Sequence, residues 1–181
     1  MSLPSSLHSS RGFTLVELVL LIILLGILAV TVGSRFSGVS GFSEYAYQQR
    51  LMSSLRAMQT RAMFDTRAGY CFQVNFSQSP LAFGPPVLAY ASGASASTCS
   101  TNIDFGNQQS LATAADELSD NQIAALQATD GGNPIDYIGF DNLGRPLTSQ
   151  SNCQQGCKIV LRGESVAEVC VESQGYIHAC Q

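Results

Sequence analysis

The chain has 181 residues, 45% of them hydrophobic, with no Trp and a formal net charge of −4. That length accommodates one domain with an attached helix and excludes two full domains. The acidic balance, with nine Lys and Arg in all, disfavours a nucleic-acid partner, whose phosphates need clustered bases.

The first element in chain order is the most informative. From Phe13 to Val32 only Thr14, Glu17 and Thr31 carry polar side chains. A run of about twenty residues makes a helix about 30 Å long, enough to cross the hydrocarbon layer of a bilayer. Arg11 ahead of the run favours a cytoplasmic N-terminus, with everything after Ser34 on the far side. A secretory signal has an apolar core of about 7–15 residues followed by an Ala-x-Ala site; this run is longer, contains an acid and lacks that site. A plain membrane anchor explains the length but not Glu17, since a charge near the middle of a bilayer costs roughly 3 kcal/mol.

Gly12-Phe13-Thr14-Leu15-Val16-Glu17-Leu18 resembles the class III signal of type IV pilins and of the related type II secretion pseudopilins, and the resemblance extends over Arg11–Val30. It implies that a prepilin peptidase cuts after Gly12 on the cytoplasmic side, that Phe13 becomes the N-methylated first residue, and that Glu17 is the assembly residue. The spacing makes chemical sense of this. Cleavage leaves an amine at Phe13, and Glu17 lies one helical turn away at (i, i+4). In a stack of staggered helices Glu17 can pair instead with the Phe13 amine of a neighbour, and charges paired in low dielectric are costly to separate.

The implied fold is α+β and type IV pilin-like: a long N-terminal helix, one half transmembrane and one half amphipathic, packed on an antiparallel β-sheet head. The boundaries are a leader at 1–12, a transmembrane and assembly helix at 13–34, an amphipathic stem at 35–68, and a β-rich periplasmic or extracellular head at 69–181. Gly33, Gly38 and Gly41 place a soft stretch or bend between the helical halves. Helix resumes over Phe42–Arg67, where Leu51, Leu55, Met58 and Ala62 form a stripe flanked by Met52 and Met63; this face is expected to pack on the head's own sheet. The stem is basic, with five arginines from Arg35 to Arg67 against Glu44 and Asp65. From Ala68 onward ten acids face Arg145, Lys158 and Arg162. That asymmetry suits stems lying against neighbouring heads, or simple solvation of an exposed helix.

Gly69 marks the helix end. Tyr70–Phe76 alternates with period two, a strand burying Tyr70, Phe72, Val74 and Phe76. Ser77–Pro80 is a turn, Pro85-Pro86 leaves Val87–Tyr90 as a short or edge strand, and Ala91–Ser100 is a loop. Asp120–Ala128 is expected as a short helix with Ile123 and Leu126 inward, inside a variable surface region at Gly106–Asn133. Tyr137–Phe140 is a strand and Asp141–Pro146 a turn. Lys158–Arg162 and Val166–Glu172 form a hairpin about Gly163-Glu164, and Tyr176–Cys180 is the last strand.

All six cysteines, Cys71, Cys99, Cys153, Cys157, Cys170 and Cys180, follow the apolar run. An even number in an exported domain points to disulfides. The final hairpin favours a Cys170–Cys180 bond, with Cys153–Cys157 and Cys71–Cys99 completing the set. Zinc on Cys153, Cys157 and His178 is the rival, but the spacing and oxidising surroundings favour disulfides. Asp130, Asp136 and Asp141 miss the EF-hand pattern and read as turn residues.

No catalytic set is evident: His178 is the single histidine beyond the leader, and neither a Gly-x-Ser-x-Gly turn nor a phosphate-binding glycine loop is present. No enzyme activity, cofactor or metal is expected. Gly139–Pro146, the hairpin after it and Gly175-Tyr176-Ile177 look like the minor-pilin and minor-pseudopilin branch. Gly26–Val30 with Arg35-Phe36 looks like the mannose-sensitive haemagglutinin (MSHA) pilus system. The resemblance therefore implies a minor pilin of a structural kind, with the prepilin peptidase, other pilin subunits and the bacterial inner membrane as partners. The alternatives are a minor pseudopilin of a type II secretion system, and an adhesin or DNA-uptake module displayed at a pilus tip, which would need a basic or aromatic patch on the head.

Overall fold

Thr14 begins the first helix as its cap: its Oγ1 accepts a hydrogen bond from the Glu17 amide at 3.3 Å, and its carbonyl accepts one from Leu18 at 3.2 Å. Thr-x-x-Glu ahead of an apolar run is the capping-box pattern, which satisfies amides that no earlier turn can reach. The helix, α1, runs Leu15–Phe36. The computed structural model describes residues 14–36, 42–65, 71–87, 99–106 and 110–180, with side chains in α1 described as far as Leu28. The chain divides into two compact units, Met1–Val39 and Ser40–Gln181. Among the described residues no helix is long and apolar enough to cross a membrane. The expected helical bend falls partly outside them: Gly33 lies within α1, while Gly38 and Gly41 are not described.

The second unit is α+β. Helix α2, Ser43–Phe64, carries the expected stripe, and Leu51, Leu55, Met58 and Ala62 are all buried in one core with the strands of the head. Met52 is buried with them and Met63 is exposed. The short helix α3 spans Glu117–Asp120.

Two antiparallel sheets complete the unit. The first has the order β2-β1-β5-β6, built from β1 Gln73–Gln78, β2 Leu81–Gly84, β5 Tyr137–Phe140 and β6 Pro146–Leu147. The second has the order β4-β3-β7-β8-β9, built from β3 Ala125–Asp130, β4 Asn133–Pro134, β7 Cys157–Arg162, β8 Val166–Val171 and β9 Ile177–Ala179. Val74, Phe83 and Ile138 of the first sheet share the α2 core with Leu126, Ile159, Leu161 and Val169 of the second.

Three sequence expectations need correction. Asp120–Ala128 is not a helix: after α3 ends, Leu126 and Ala128 pair with Leu161 and Ile159 of β7. Ile123 and Leu126 do point inward, but the ladder offered by the β7–β8 hairpin outweighs the helical preference of Ala, Leu and Gln. Nor is Gly106–Asn133 a surface region, since Leu111, Ala112, Leu118, Ile123, Leu126 and Ala128 are buried. The second strand precedes the prolines at Leu81–Gly84 and pairs with β1 from Gln78↔Leu81 to Asn75↔Gly84; Leu88–Tyr90 lie outside the described residues.

Strand β1 is buried on both faces. Val74 and Phe76 face the core as expected, Phe72 is only half-buried, and Tyr70 is not described. On the other face the buried Gln73 donates to Asn75 Oδ1 at 2.6 Å, and the Asn75 amide donates to the carbonyls of Ser100 and Asn102 at 2.9 and 3.3 Å. A buried amide persists only when its hydrogen bonds are made. Here the segment carrying Ser100 and Asn102, tethered by the Cys71–Cys99 disulfide, makes them.

The sheet edges are blunted. Pro134 and Pro146 sit in the two-residue edge strands β4 and β6, the Thr113 amide donates to the Phe83 carbonyl of β2 while its Oγ1 accepts the Phe83 amide, and the Arg56 guanidinium donates to the Ile177 carbonyl of β9 at 2.7 Å. Unpaired edges invite pairing between chains, and each of these devices removes one.

Candidate functional site

The sequence-derived processing residues Gly12 and Phe13 lie outside the described residues. Glu17 occupies the first turn of α1 and is exposed. A carboxylate in that turn is favoured by the partial positive charge of the helix start. Around it Leu15, Val16 and Leu18, and then Val19–Leu25, Ile27 and Leu28, are exposed large apolar side chains.

The cysteines form three disulfides, Cys71–Cys99, Cys153–Cys157 and Cys170–Cys180; the hairpin favoured the last of these, and the other two complete the set. They leave no thiolates for zinc, and His178 is committed elsewhere. Its ring stacks on Tyr176 at a centroid separation of 4.8 Å, and Nε2 lies 3.1 Å from Glu172 Oε1. The bond to Glu172, with a second to the Ala179 carbonyl, raises the His178 pKa above its ordinary value.

The three aspartates do not gather. Burial pushes the Asp130 carboxyl upward, but hydrogen bonds from the hydroxyls of Ser151 and Thr148 and the amides of Cys153 and Ser151 outweigh it and hold the pKa low. Asp141 likewise overcomes burial through the Arg145 and Leu143 amides and the Arg145 guanidinium, which closes the turn. Asp136 is exposed.

Among the described residues, Glu44 and Asp104 are buried carboxylates that the sequence did not single out. Glu44, in the first turn of α2, is 1% exposed. Its Oε1 accepts the Ser165 amide at 3.0 Å and its Oε2 the Ser43 hydroxyl at 3.2 Å. Burial alone raises its pKa, yet these bonds, together with its own amide and the Ser165 hydroxyl, bring it below the usual carboxylate value. Glu44 therefore pins the start of α2 to the β7–β8 turn. A Glu in a first helical turn is the available sequence signal, but nothing in one sequence names its partner.

No family model, curated protein or solved structure matches this chain.

Arg50 and Arg56 of the stem bind within the chain. Arg50 lies 2.5 Å from Glu117 and also donates to the Ala112 carbonyl. The hollow beside it, about 360 Å³, is lined by Arg50, Phe105, Ala112, Thr113, Ala114 and Glu117, and this ion pair occupies its charged wall. Across the head, the charged and buried polar groups described above bind backbone and neighbouring side chains.

Proposed function

We propose that this chain is a minor type IV pilin of the MSHA type, a structural subunit rather than a catalyst. In this reading a prepilin peptidase removes 1–12, Phe13 is methylated, and the apolar run read from the sequence at Phe13–Val32 holds the subunit in the inner membrane with its head in the periplasm. The subunit then enters, or initiates, a filament. The observation that carries the proposal is the first part of α1: the exposed apolar stretch Leu15–Leu28, whose first turn bears Glu17, four residues past the terminus that cleavage at Gly12 would create.

A carboxylate in that setting needs a cation, and the Phe13 amine of a neighbouring subunit is the nearest that such an assembly supplies. Breaking a buried ion pair by removing one partner costs about 3–5 kcal/mol, enough to set the axial register of a stack. An α+β head closed by disulfides suits an oxidising exterior.

The test has two parts. Mass spectrometry of the native mature chain is expected to find an N-methylated Phe13 start, and an intact leader in a competent host would refute the reading. Glu17→Ala is expected to be processed normally yet to reduce surface filaments severely; normal piliation would remove the assembly role.

A further inference from the structure

The end of the head where α2 begins exposes apolar side chains from two elements far apart in the chain. Phe42, at the N-cap of α2, and Tyr45, one turn on, are 69% and 50% exposed, and Val166, the first residue of β8, is 46% exposed. The Ser165 amide donates to Glu44 Oε1 at 3.0 Å, which holds the β7–β8 turn against the first turn of α2, so all three residues belong to the same end of the unit. We propose that this end of the head seats on the lipid surface of the membrane, with Phe42, Tyr45 and Val166 entering the headgroup layer. The proposal rests on the reading of Phe13–Val32 as a membrane anchor.

Chain length selects lipid as the occupant. Only 37–41 intervene between Phe36, the last residue of α1, and Phe42, and six peptide steps reach at most about 22 Å. An anchor in the bilayer therefore keeps this end of the head within reach of the membrane surface, whatever path those residues take. Apolar side chains exposed together mark a contact with protein or membrane, and the tyrosine ring, apolar in its body and polar at its tip, suits the headgroup level. Charge is balanced beside them. Arg162, the cross-strand partner of Val166, and Glu164 in the turn are both exposed, matching the phosphate and ammonium groups of lipids. The long Arg162 side chain can reach a phosphate while Val166 sits deeper. The other end of α2 has no such tether. Gln59 lies about 22 Å along the helix from Glu44 and donates to the Gly144 and Gly175 carbonyls, so the exposed Leu143 is carried at the far end.

The chain has no Trp, so an introduced tryptophan reports alone. The full chain is reconstituted in vesicles of phosphatidylcholine and phosphatidylglycerol, with lipids brominated at shallow or deep acyl positions as contact quenchers. Ile22→Trp, Val166→Trp and Leu143→Trp are compared. The expected result is quenching at position 22 by deep bromines, quenching with a blue shift at position 166 by shallow bromines, and none at position 143. Position 166 is decisive because it is remote from the anchor in sequence, and only the fold brings it to lipid. Adding Phe42→Ser and Tyr45→Ser to Val166→Trp is expected to remove most of the quenching, and high salt to leave it unchanged. Quenching at position 22 with none at 166 overturns the docking alone, whereas none at either overturns the anchor reading and the docking with it. Equal quenching at 143 and 166, quenching that survives the two Ser substitutions, or its loss in high salt overturns the proposal. A blue shift at 166 without quenching does so too, since it would place another protein chain on this end.

Discussion

The point at which Gly163 would carry a Cβ overlaps Glu44 Oε1 and lies 2.7 Å from the Gln122 carbonyl oxygen. The buried carboxylate and the bare glycine thus fill one space, and the stem helix seats on the hairpin only because that glycine has no side chain. Gly163→Ala is expected to destabilise the head by about 2 kcal/mol, as overpacking does. Urea denaturation measures this, and a loss below about 0.5 kcal/mol would show that Glu44 moves aside freely.

A second close approach lies at the other end of α2. Gly175 has φ +88°, and a Cβ there would overlap the Gly144 carbonyl oxygen. The Gln59 amide donates to both the Gly144 and Gly175 carbonyls, at 2.8 and 2.6 Å. Gly175→Ala is expected to cost about 3 kcal/mol, combining left-handed backbone strain with a backbone clash. Gln59→Ala, which strips two bonds but clashes with nothing, is expected to cost about 1–2 kcal/mol. Paired thermal melts check the order; Gln59→Ala proving the worse would place the stability in the bonds rather than the space.

The disulfides close loops of different length, with sequence separations of 28, 10 and 4 for Cys71–Cys99, Cys170–Cys180 and Cys153–Cys157. Chain entropy then ranks paired Cys→Ala losses at about 3.6, 2.7 and 1.9 kcal/mol in that order. Denaturation of the three double variants tests the ranking. A reversed order would show that native packing, not the constraint on the unfolded chain, sets these contributions.

Acid is expected to loosen the head. Glu44, Asp130 and Asp141 have pKa values lowered by folding, so the unfolded chain binds more protons between each folded and unfolded pKa. Their stabilisation is complete above the ordinary carboxylate range and is lost as the pH falls from about 4 through the folded values. His178 has the opposite sign: its raised pKa gives stability that is full below about pH 6.5 and fades as the pH rises through the folded value. Melting temperature against pH should therefore fall steeply on the acid side and only slightly above neutrality. A profile flat down to pH ~2.5 would contradict the carboxylate assignment.

The elements legible in the sequence were those whose pattern is local. Leu51, Leu55, Met58 and Ala62 repeat at helical spacing and are buried on one face. The hairpin about Gly163-Glu164 joins two alternating strands that pair from Arg162↔Val166 to Cys157↔Val171. Such a hairpin and the short turn after it bring Cys170 close to Cys180, which favoured their bond.

What the tertiary structure decided were the positions whose partner is distant in the chain. Ala125–Asp130 has helical propensity and becomes a strand because β7 supplies a ladder. Gln73 and Asn75 read as the solvent side of an alternating strand, yet they are buried because the segment around Ser100–Asn102 covers them. Glu44 reads as an ordinary charge at a helix start, and only the turn at 163–165 makes it a buried anchor. Local periodicity is written residue by residue, but the free energy that settles these sites comes from hydrogen bonds and packing across 25 to 121 residues of chain, which a linear reading does not contain.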